Sequence, residues 1–236
     1  MNKIKRAIIM AAGNGKRLRP LTYSIPKPLI SVNGKKMIET IIEALHANDI
    51  YEIYIVVGYL KEQFDYLKNI NGIKLIENPY FNECNNVSSL YVARDYIEDA
   101  IILDGDQIIY NEKILFKDFD KSGYSAFWVD NDTKEWLLSV NNDDIVSCNR
   151  TGGKNGWQLC SVSRWNKEDA NKLKKHIEIE FLDKNNKEIY WDDVALFCYP
   201  NEYNLRIYKI NKKDIIEIDN LEELKEIDDS YREIEV

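Results

Sequence analysis

Apolar residues along the first half of the chain follow two different patterns in turn. Some segments are continuously apolar, as buried strands require; they cover residues 6–11, 53–57, 73–76 and 100–103. Other segments have the spacing or composition of helices; they cover residues 36–48, 60–69 and 87–97. Strands that alternate with helices predict a mainly parallel sheet with helices on both faces.

The second half of the chain changes to short β-like runs separated by polar turns. These runs cover residues 125–129, 136–140, 145–148 and 158–162. They predict a small antiparallel β insertion beside the parallel sheet. The later elements that we expect are a helix over 166–179, strands over 205–210 and 215–218, and a last helix that begins at Asn220. The acidic run 222–235 is expected to form a solvated helix face and tail.

Composition excludes several classes of protein. The chain has 236 residues and a net charge of −8, which suits a single α/β domain and argues against a general nucleic-acid binder. Its four cysteines lack C-x-x-C spacing, so neither a zinc site nor a dithiol motif is expected. We find no signal peptide and no apolar run of the ~18–20 residues that a membrane span needs. We therefore expect a cytoplasmic protein without membrane insertion.

The segment AAGNGKRLRPLTYSIPKP, residues 11–28, carries the most specific chemistry. Gly13 and Gly15 follow a predicted strand, and loops of this kind cradle phosphate oxygens with backbone amides. The basic side chains between residues 16 and 27 would neutralise a polyphosphate. The spacing fits neither a P-loop nor a dinucleotide fingerprint. A nucleoside triphosphate site is predicted, and a plain turn with solvated cations is the alternative.

The pattern G-x-G-x-R-L-x-P from Gly13, followed by P-K-P-L from Pro26, resembles the signature of the sugar-phosphate nucleotidyltransferases. This resemblance implies an α/β fold with a Rossmann-like, mostly parallel mixed sheet flanked by helices, the nucleotide-diphospho-sugar transferase fold. It also implies that Arg17 binds the leaving pyrophosphate and that Lys27 contacts phosphates at the reacting centre. The implied nucleotide-binding loop consists of Ala12, Gly13, Asn14, Gly15, Lys16 and Arg17.

Carboxylates follow two later apolar runs. Asp106 lies just past a predicted parallel strand, where such sheets bind ligands, and Glu217 and Asp219 point to one side of an extended strand. The resemblance implies that Asp106 and Asp219 hold a catalytic Mg²⁺ and that Glu217 joins them in the phosphocholine branch; oxygen ligands suit this ion. The alternatives are a turn-forming Asp106, a helix-start Asp219 and an exposed Glu217. Asp104 is expected to play a supporting role.

Two segments resemble the loops that read the nucleobase in this family. They are Gly58-Tyr59 and the sequence NNVSSLY that starts at Asn85. The second segment resembles cytidylyltransferases more than sugar-activating enzymes, which implies CTP as the nucleotide. We expect Gly58, Tyr59, Asn86 and Ser89 to bind it. A simple helix cap at Asn86 is the alternative.

Aromatic residues beside carboxylates mark the predicted acceptor site. Trp136 and the sequence YWDD from Tyr190 offer aromatic faces and negative charge, which attract a quaternary ammonium group. These segments and residues 57–68 resemble bacterial phosphocholine cytidylyltransferases, so the resemblance spans nearly the whole chain. We expect Trp136, Tyr190, Trp191 and Asp192 to bind the acceptor. Packing of the aromatic rings in the core is the alternative.

These observations predict an enzyme that transfers CMP from CTP to phosphocholine, with Lys27, Arg17 and Asp106 as catalytic residues. Phosphoethanolamine and 2-aminoethylphosphonate are alternative acceptors, because a primary ammonium also suits an aromatic and acidic pocket. A sugar 1-phosphate acceptor and a non-catalytic nucleotide-binding subunit are further alternatives. We predict one domain over residues 1–236, with a nucleotide-binding half up to about residue 120 and an acceptor-binding half with the last helix after it. The oligomeric state stays open.

Overall fold

The strands and helices follow the order that the apolar pattern predicts. The computed structural model describes residues 1–234. The strands are β1 (Asn2–Lys3), β2 (Arg6–Ala11), β3 (Ser31–Val32), β4 (Lys35–Lys36), β5 (Glu52–Val57), β6 (Ile73–Glu77), β7 (Ala100–Asp104), β8 (Gln107–Ile109), β9 (Asp118–Phe119), β10 (Gly123–Val129), β11 (Leu137–Asn141), β12 (Asp144–Asn149), β13 (Gly156–Trp165), β14 (Arg206–Lys209) and β15 (Ile215–Glu217). The α-helices are α1 (Met37–Ala47), α2 (Val87–Ala93), α3 (Lys167–Glu178), α4 (Trp191–Asp193) and α5 (Leu221–Ile227). The 3-10 turns are Lys16–Leu18, Leu21–Tyr23, Lys27–Leu29, Lys61–Asn69, Arg94–Tyr96, Glu112–Leu115, Pro200–Glu202, Lys212–Asp214 and Asp229–Tyr231, and π-helical turns cover Ile179–Asp183 and Val194–Cys198.

Four parallel strands form the centre of the molecule, in the order β6-β5-β2-β7. Side chains alternate between the two faces of β2. Ile9 therefore packs in one core with α1, whereas Ile8 and Met10 pack in a second core with α2 and α3. Because both faces are covered, these strands are apolar throughout their length. The parallel sheet predicted for the first half is present.

The second half of the chain curls into a small closed barrel. β13 pairs with both β10 and β11, β11 pairs with β12, and β14 closes the ring by pairing with β10 and β12. Ala126, Leu138 and Ile207 pack together between these strands. The predicted antiparallel insertion is correct for most of these pairs, but β10 and β14 are parallel. β13 also pairs with β7, so the barrel continues the central sheet.

Two predicted helices differ in detail from the structure. Residues 60–69 form a 3-10 helix over Lys61–Asn69 rather than an α-helix. The segment predicted as 87–97 is α-helical only to Ala93 and then tightens into a 3-10 turn. Apolar spacing alone does not encode these differences, because they depend on which carbonyl each local N–H group selects.

The last helix, α5, holds the carboxylate that precedes it. Asn220 caps this helix as predicted, since its side chain accepts a hydrogen bond from the Glu223 N–H. The Glu223 carboxylate accepts from the Asp219 N–H at 2.6 Å. Ile218 is fully buried and packs in the same apolar cluster as Leu18 of the glycine loop. The position of Asp219 is therefore fixed from both sides.

Exposed acidic residues line the outer face of α5, including Glu222 and Glu226. This agrees with the predicted solvated face, although residue 235 at the end of the acidic run lies outside the described residues. Within residues 1–234, no helix is both long enough and apolar enough to cross a membrane.

Arg164 on β13 is a fully buried cation. Its guanidinium group donates hydrogen bonds to the carbonyls of Ile114 and Phe116 and to the hydroxyl of Ser125. The rings of Phe116 and Tyr208 lie 4.0 and 4.9 Å from it. Burial lowers the pKa of Arg164 to about 10. These contacts fasten the segment between β8 and β9 to the barrel.

We expect Arg164→Met to lower the free energy of unfolding by about 2–4 kcal/mol, because buried carbonyls lose their donors while most of the volume is kept. Urea unfolding followed by circular dichroism measures this change. Lys167→Met is the matched control, since this exposed lysine pairs with Glu98 at the surface and should change stability by less than about 0.5 kcal/mol. Equal unfolding midpoints for both variants would contradict the role of Arg164.

Candidate active site

The glycine loop after β2 forms one wall of a cavity of about 390 Å³. Gly15 is left-handed, with φ of 57°, and a Cβ there would come within 3.0 Å of the Lys27 and Thr22 side chains. The Thr22 hydroxyl donates a hydrogen bond to the Gly15 carbonyl at 2.8 Å. Glycine at this position therefore lets Lys27 approach the loop. The loop residues that line the cavity are Gly13, Asn14, Gly15, Lys16 and Arg17.

Lys27 is the positive centre of this cavity. Its Nζ lies 2.5 Å from an oxygen of Asp106 and 3.1 Å from an oxygen of Asp219, and its side chain is only 9% exposed. Burial alone would lower the pKa of Lys27, but the two carboxylates outweigh burial and hold that pKa above its usual range. The exposed Arg17 pairs with the same Asp219 oxygen at 2.6 Å. The structure thus brings together the predicted catalytic residues.

More carboxylates converge here than these two cations can neutralise. Asp104, Asp106 and Glu217 each offer an oxygen within 4.8 Å of the others. Burial and the Asp106 carboxylate raise the pKa of Asp104 to about 7. Glu217 as a whole is exposed, but desolvation of its carboxyl group and repulsion by Asp106 and Asp104 raise its pKa well above the ordinary value. One oxygen of Asp106 is buried without a hydrogen-bond partner among the described residues. This set of oxygen donors fits a hard divalent cation.

The cluster differs in one member from the predicted metal ligands. Asp219 was predicted to join Asp106 and Glu217, but its carboxylate faces Lys27 and Arg17, and Asp104 completes the cluster instead. Asp104 is therefore a further candidate ligand, and the assignment of Asp219 as a ligand stays a prediction. The sequence did offer one signal for Asp104, because it lies only two residues before Asp106. The tight turn between them, where the Gly105 N–H donates to the Met10 carbonyl, was not visible in the sequence pattern.

A second cavity, of about 380 Å³, adjoins the first and shares the glycine loop with it. Ala12, Asn86 and Ser89, three of the predicted nucleotide-binding residues, line this second cavity. Asn78 also lines it, although the sequence interpretation did not include it. The buried Asn78 amide donates to the hydroxyls of Ser88 and Ser89 at 2.9 and 3.1 Å. Its place just past the carboxyl end of β6 was the signal for a site residue.

Gly58 and Tyr59 lie behind the glycine loop. A Cβ at Gly58 would meet the Phe81 side chain at 2.8 Å and the Ala12 carbonyl at 3.0 Å. The Tyr59 N–H donates to that Ala12 carbonyl, and its hydroxyl donates to the Thr22 carbonyl at 2.7 Å. These two residues thus contact the loop from behind and do not line the second cavity, and their predicted contact with the base stays a prediction.

A third cavity, of about 230 Å³, joins the other two. It shares Arg17 and Asp219 with the first cavity and Asn86 with the second. In its wall, Trp136 and Tyr190 form an edge-to-face pair with ring centroids 5.7 Å apart. Two of the predicted acceptor-binding aromatic residues thus face the same cleft as the glycine loop.

Asp192 lines this third cavity, whereas Trp191 does not reach it. Asp192 is 6% exposed, and its carboxyl group lies close to the Tyr124 hydroxyl. Burial and repulsion by Asp104 raise the pKa of Asp192 well above its ordinary value. Trp191 is 1% exposed and packs against Tyr124 and Trp165, which favours the core-packing alternative for this residue. Successive residues of a helix point about 100° apart, so α4 sends these neighbours to different sides.

Arg150, in the loop between β12 and β13, supports the acceptor wall from outside. Its guanidinium group pairs with Asp193 at 2.5 Å. It also lies over the rings of Phe197 and Trp136, at 3.9 and 5.5 Å. The sequence interpretation missed this residue, because a single arginine in a polar turn carries no signal of its distant partners.

Comparison with known proteins identifies the class to which this cleft belongs. Residues 6–131 match the family described as nucleotidyl transferase. The chain belongs to this family and is a nucleotidyltransferase enzyme.

Particular relatives match over almost the whole chain. A 2-aminoethylphosphonate cytidylyltransferase of Lancefieldella rimae is 36% identical over 228 residues, which cover 95% of this chain and 92% of the relative. A choline-phosphate cytidylyltransferase of Streptococcus pneumoniae is 34% identical over 225 residues, which cover 95% of this chain and 97% of the relative.

Solved structures agree with these relatives. The CTP:phosphocholine cytidylyltransferase of Streptococcus pneumoniae matches with a TM-score of 0.90 at 32% identity, covering 97% of this chain and 99% of that chain. The inositol-1-phosphate CTP transferase of T. maritima matches with a TM-score of 0.76 at 18% identity, covering 99% of this chain and 98% of that chain, and it shares the fold. The predicted nucleotide-diphospho-sugar transferase fold is confirmed.

We expect Lys27→Ala and Asp106→Ala each to lower turnover at least ~100-fold with the fold intact, because a contact to developing charge in a preorganised site is worth about this factor. Pyrophosphate release from a nucleoside triphosphate measures turnover, and circular dichroism checks the fold. Lys61→Ala is the matched control, since this exposed lysine pairs with Glu77 at the surface. Near-normal turnover of both site variants would rule out these roles.

Proposed function

We propose that this protein is a cytidylyltransferase that transfers CMP from CTP to the phosphate group of phosphocholine. The observation that carries the proposal is the junction of two cavities. The cavity of the glycine loop and Lys27 shares Arg17 and Asp219 with the cavity of Trp136 and Tyr190. A triphosphate in the first cavity and a cationic phosphate in the second would meet at this junction. The names of the full-length relatives support the same assignment.

In the proposed reaction, a phosphate oxygen of the acceptor forms a bond to the α-phosphorus of CTP. The bond from that phosphorus to the bridging oxygen of the β-phosphate breaks, and pyrophosphate leaves with the electron pair. The acceptor phosphate is anionic near neutral pH, so no strong general base is required. Lys27 offsets charge at the α-phosphate and Arg17 holds the leaving group. Catalysis then consists of positioning and charge neutralisation.

We assign Mg²⁺ as the cofactor of the carboxylate cluster. Asp104, Asp106 and Glu217 would hold it, and the unpartnered oxygen of Asp106 supports this assignment. When bound, this ion neutralises phosphate charge and polarises phosphate oxygens. Asp219 stays a candidate ligand, because its carboxylate and that of Asp106 both contact the Lys27 ammonium group.

Removal of divalent metal by EDTA is expected to abolish pyrophosphate release, and added Mg²⁺ should restore it. We expect Asp104→Asn to weaken Mn²⁺ binding, measured by electron paramagnetic resonance, by at least ~10-fold, because the variant loses a charged ligand. Asp99→Asn is the control, since this residue pairs with Lys5 at the surface. Full activity in EDTA would exclude the cofactor. A loss of Mn²⁺ affinity in Asp219→Asn but not in Asp104→Asn would restore the ligand set predicted from the sequence.

The acceptor end of the cleft suits a positively charged group. Asp192 and Glu135 present carboxyl groups to a cavity whose other wall holds Trp136 and Tyr190. A cation there gains Coulomb attraction and contact with aromatic faces. A sugar 1-phosphate carries no positive group and would make no use of these carboxyl groups and aromatic faces, which disfavours that alternative.

2-Aminoethylphosphonate is a second candidate acceptor, favoured by a specific observation. The carboxyl group of Asp192, which lines this cavity, can accept a hydrogen bond from a primary ammonium group but not from a trimethylammonium group. The relative from Lancefieldella rimae carries the name of this activity. Phosphoethanolamine shares the same ammonium group and belongs with this candidate.

A panel of acceptors assayed with CTP separates these alternatives. It contains phosphocholine, phosphoethanolamine, 2-aminoethylphosphonate, glucose 1-phosphate and 3,3-dimethylbutyl phosphate, which is the uncharged isostere of phosphocholine. We expect kcat/KM for phosphocholine to exceed that for the isostere at least ~10-fold, as a desolvated cation–π contact allows. Trp136→Ala should remove most of this difference in kcat/KM. Trp128→Ala, at an exposed tryptophan, is the control and should leave the difference unchanged.

The outcomes of this panel are distinct. A preference for 2-aminoethylphosphonate would assign the second candidate. Equal use of the isostere, or a preference for glucose 1-phosphate, would contradict a cationic acceptor. Repeating the assay with ATP, GTP and UTP tests the choice of CTP, and binding of nucleotides without any pyrophosphate release would point to a non-catalytic subunit.

A further inference from the structure

Asn86 occupies the N-cap position of α2 but does not cap that helix. An asparagine at this position ordinarily accepts a hydrogen bond from an N–H group in the first turn of its own helix. Here the side chain makes no such bond. Its Oδ1 instead accepts a hydrogen bond, at 2.9 Å, from the backbone N–H of Trp191, which lies 105 residues further along the chain. The Asn86 side chain therefore binds a second segment, the one around Trp191, and not its own helix.

That second segment is the turn that presents the acceptor-binding residues. Trp191 is the first residue of α4, and the side chains on either side of it, Tyr190 and Asp192, line the acceptor cavity. The Tyr190 N–H is satisfied within the turn by the Asp193 carboxylate. The Trp191 N–H is satisfied by Asn86 alone among the described residues. Asn86 therefore fixes the turn at the peptide between the two acceptor-binding side chains.

Asn86 also belongs to the nucleotide side of the cleft. It lines both the second cavity, with the predicted nucleotide-binding residues, and the third cavity, with the predicted acceptor-binding residues. Its neighbour Asn85 adds two bonds to the same distant segment, because its N–H donates to the Lys187 carbonyl and its side chain donates to the Glu188 carbonyl. The loop beside the base and the turn beside the acceptor are thus joined by three hydrogen bonds.

We propose that Asn86 is a positioning residue for the acceptor, which sets Tyr190 and Asp192 in place from the nucleotide side of the cleft. This inference rests on the proposed cytidylyltransferase function. It is separate from the predicted role in nucleotide binding, because it uses only the side-chain oxygen, which accepts from the Trp191 N–H. It also differs from a role in helix stability, because that oxygen caps no helix of its own segment.

Steady-state kinetics of Asn86→Ala and Asn86→Asp test this proposal. We expect the alanine variant to raise KM for the acceptor about 5- to 30-fold, the value of one hydrogen bond to a buried donor, with KM for CTP changed less than about 3-fold. The aspartate variant keeps an acceptor oxygen and should return the acceptor KM to within about 3-fold of the parent value.

Asn166→Ala is the matched control. Asn166 caps α3 through the Asp169 N–H, remote from the cleft, so its loss should lower the thermal midpoint without raising the acceptor KM. An unchanged acceptor KM in Asn86→Ala, a rise in the CTP KM alone, or a failure of aspartate to rescue would each overturn the inference.

Amide hydrogen exchange of residues 190–193 gives a readout that does not depend on turnover. We expect exchange at Trp191 to be at least ~10-fold faster in Asn86→Ala than in the parent protein, because its N–H loses the bond that protects it. Unchanged protection would overturn the positioning role even in an active enzyme. A parent protein that turns over none of the acceptors would instead count against the proposed function, so the two failures are distinguishable.

Discussion

An excess of negative charge, where the carboxyl end of β7 meets the end of β15, governs this structure. The carboxylates are Asp104, Asp106, Glu217 and Asp219. Lys27 and Arg17 are the cations that pair with members of this group. Carboxylates only a few ångströms apart repel one another strongly when water is excluded, and the pKa of Asp104, raised by burial and by the Asp106 carboxylate, records that cost. The cleft therefore holds more carboxylates than cations, and a divalent cation would offset the difference.

The backbone around the cluster is built to hold this unfavourable charge in place. Gly15 lets the Lys27 side chain approach the glycine loop, and a Cβ at Gly105 would lie 3.0 Å from the Met10 carbonyl. On the opposite side, Ile218 is fully buried between the two acidic residues that flank it. Burial of such a side chain contributes roughly 1.5–3 kcal/mol, enough to oppose part of the repulsion between its neighbours. Apolar packing outside the cleft thus offsets part of the repulsion between the carboxylates within it.

The sequence predicted what is local and missed what depends on distant contacts. The parallel strands, the glycine loop and the cap at Asn220 were predicted because each has a short-range signal: an apolar run, a glycine pair or a capping residue. The closed barrel, the inward turn of Trp191 and the placement of Asp104 in the carboxylate cluster were not predicted. The barrel and the carboxylate cluster follow from contacts between residues far apart in the chain. The inward turn of Trp191 depends on the exact residue at which α4 begins, which the sequence pattern does not give. Likewise, Gly58 was assigned to the base although it supports the glycine loop from behind.

The proposed acceptor cavity is assembled from both halves of the chain, so the two halves would act together in the proposed function. Arg17 and Asn86 come from the first half, and Trp136, Tyr190 and Asp192 come from the second. The family match, residues 6–131, contains the glycine loop and the base loop but ends before these three acceptor residues. Relatives with differently named acceptors are nearly equally similar to this chain, at 36% and 34% identity. On the proposed function, phosphate chemistry would therefore stay fixed around Lys27 while the barrel and the turn at α4 set the acceptor, with the turn held to the loop of Asn85 and Asn86 by their hydrogen bonds.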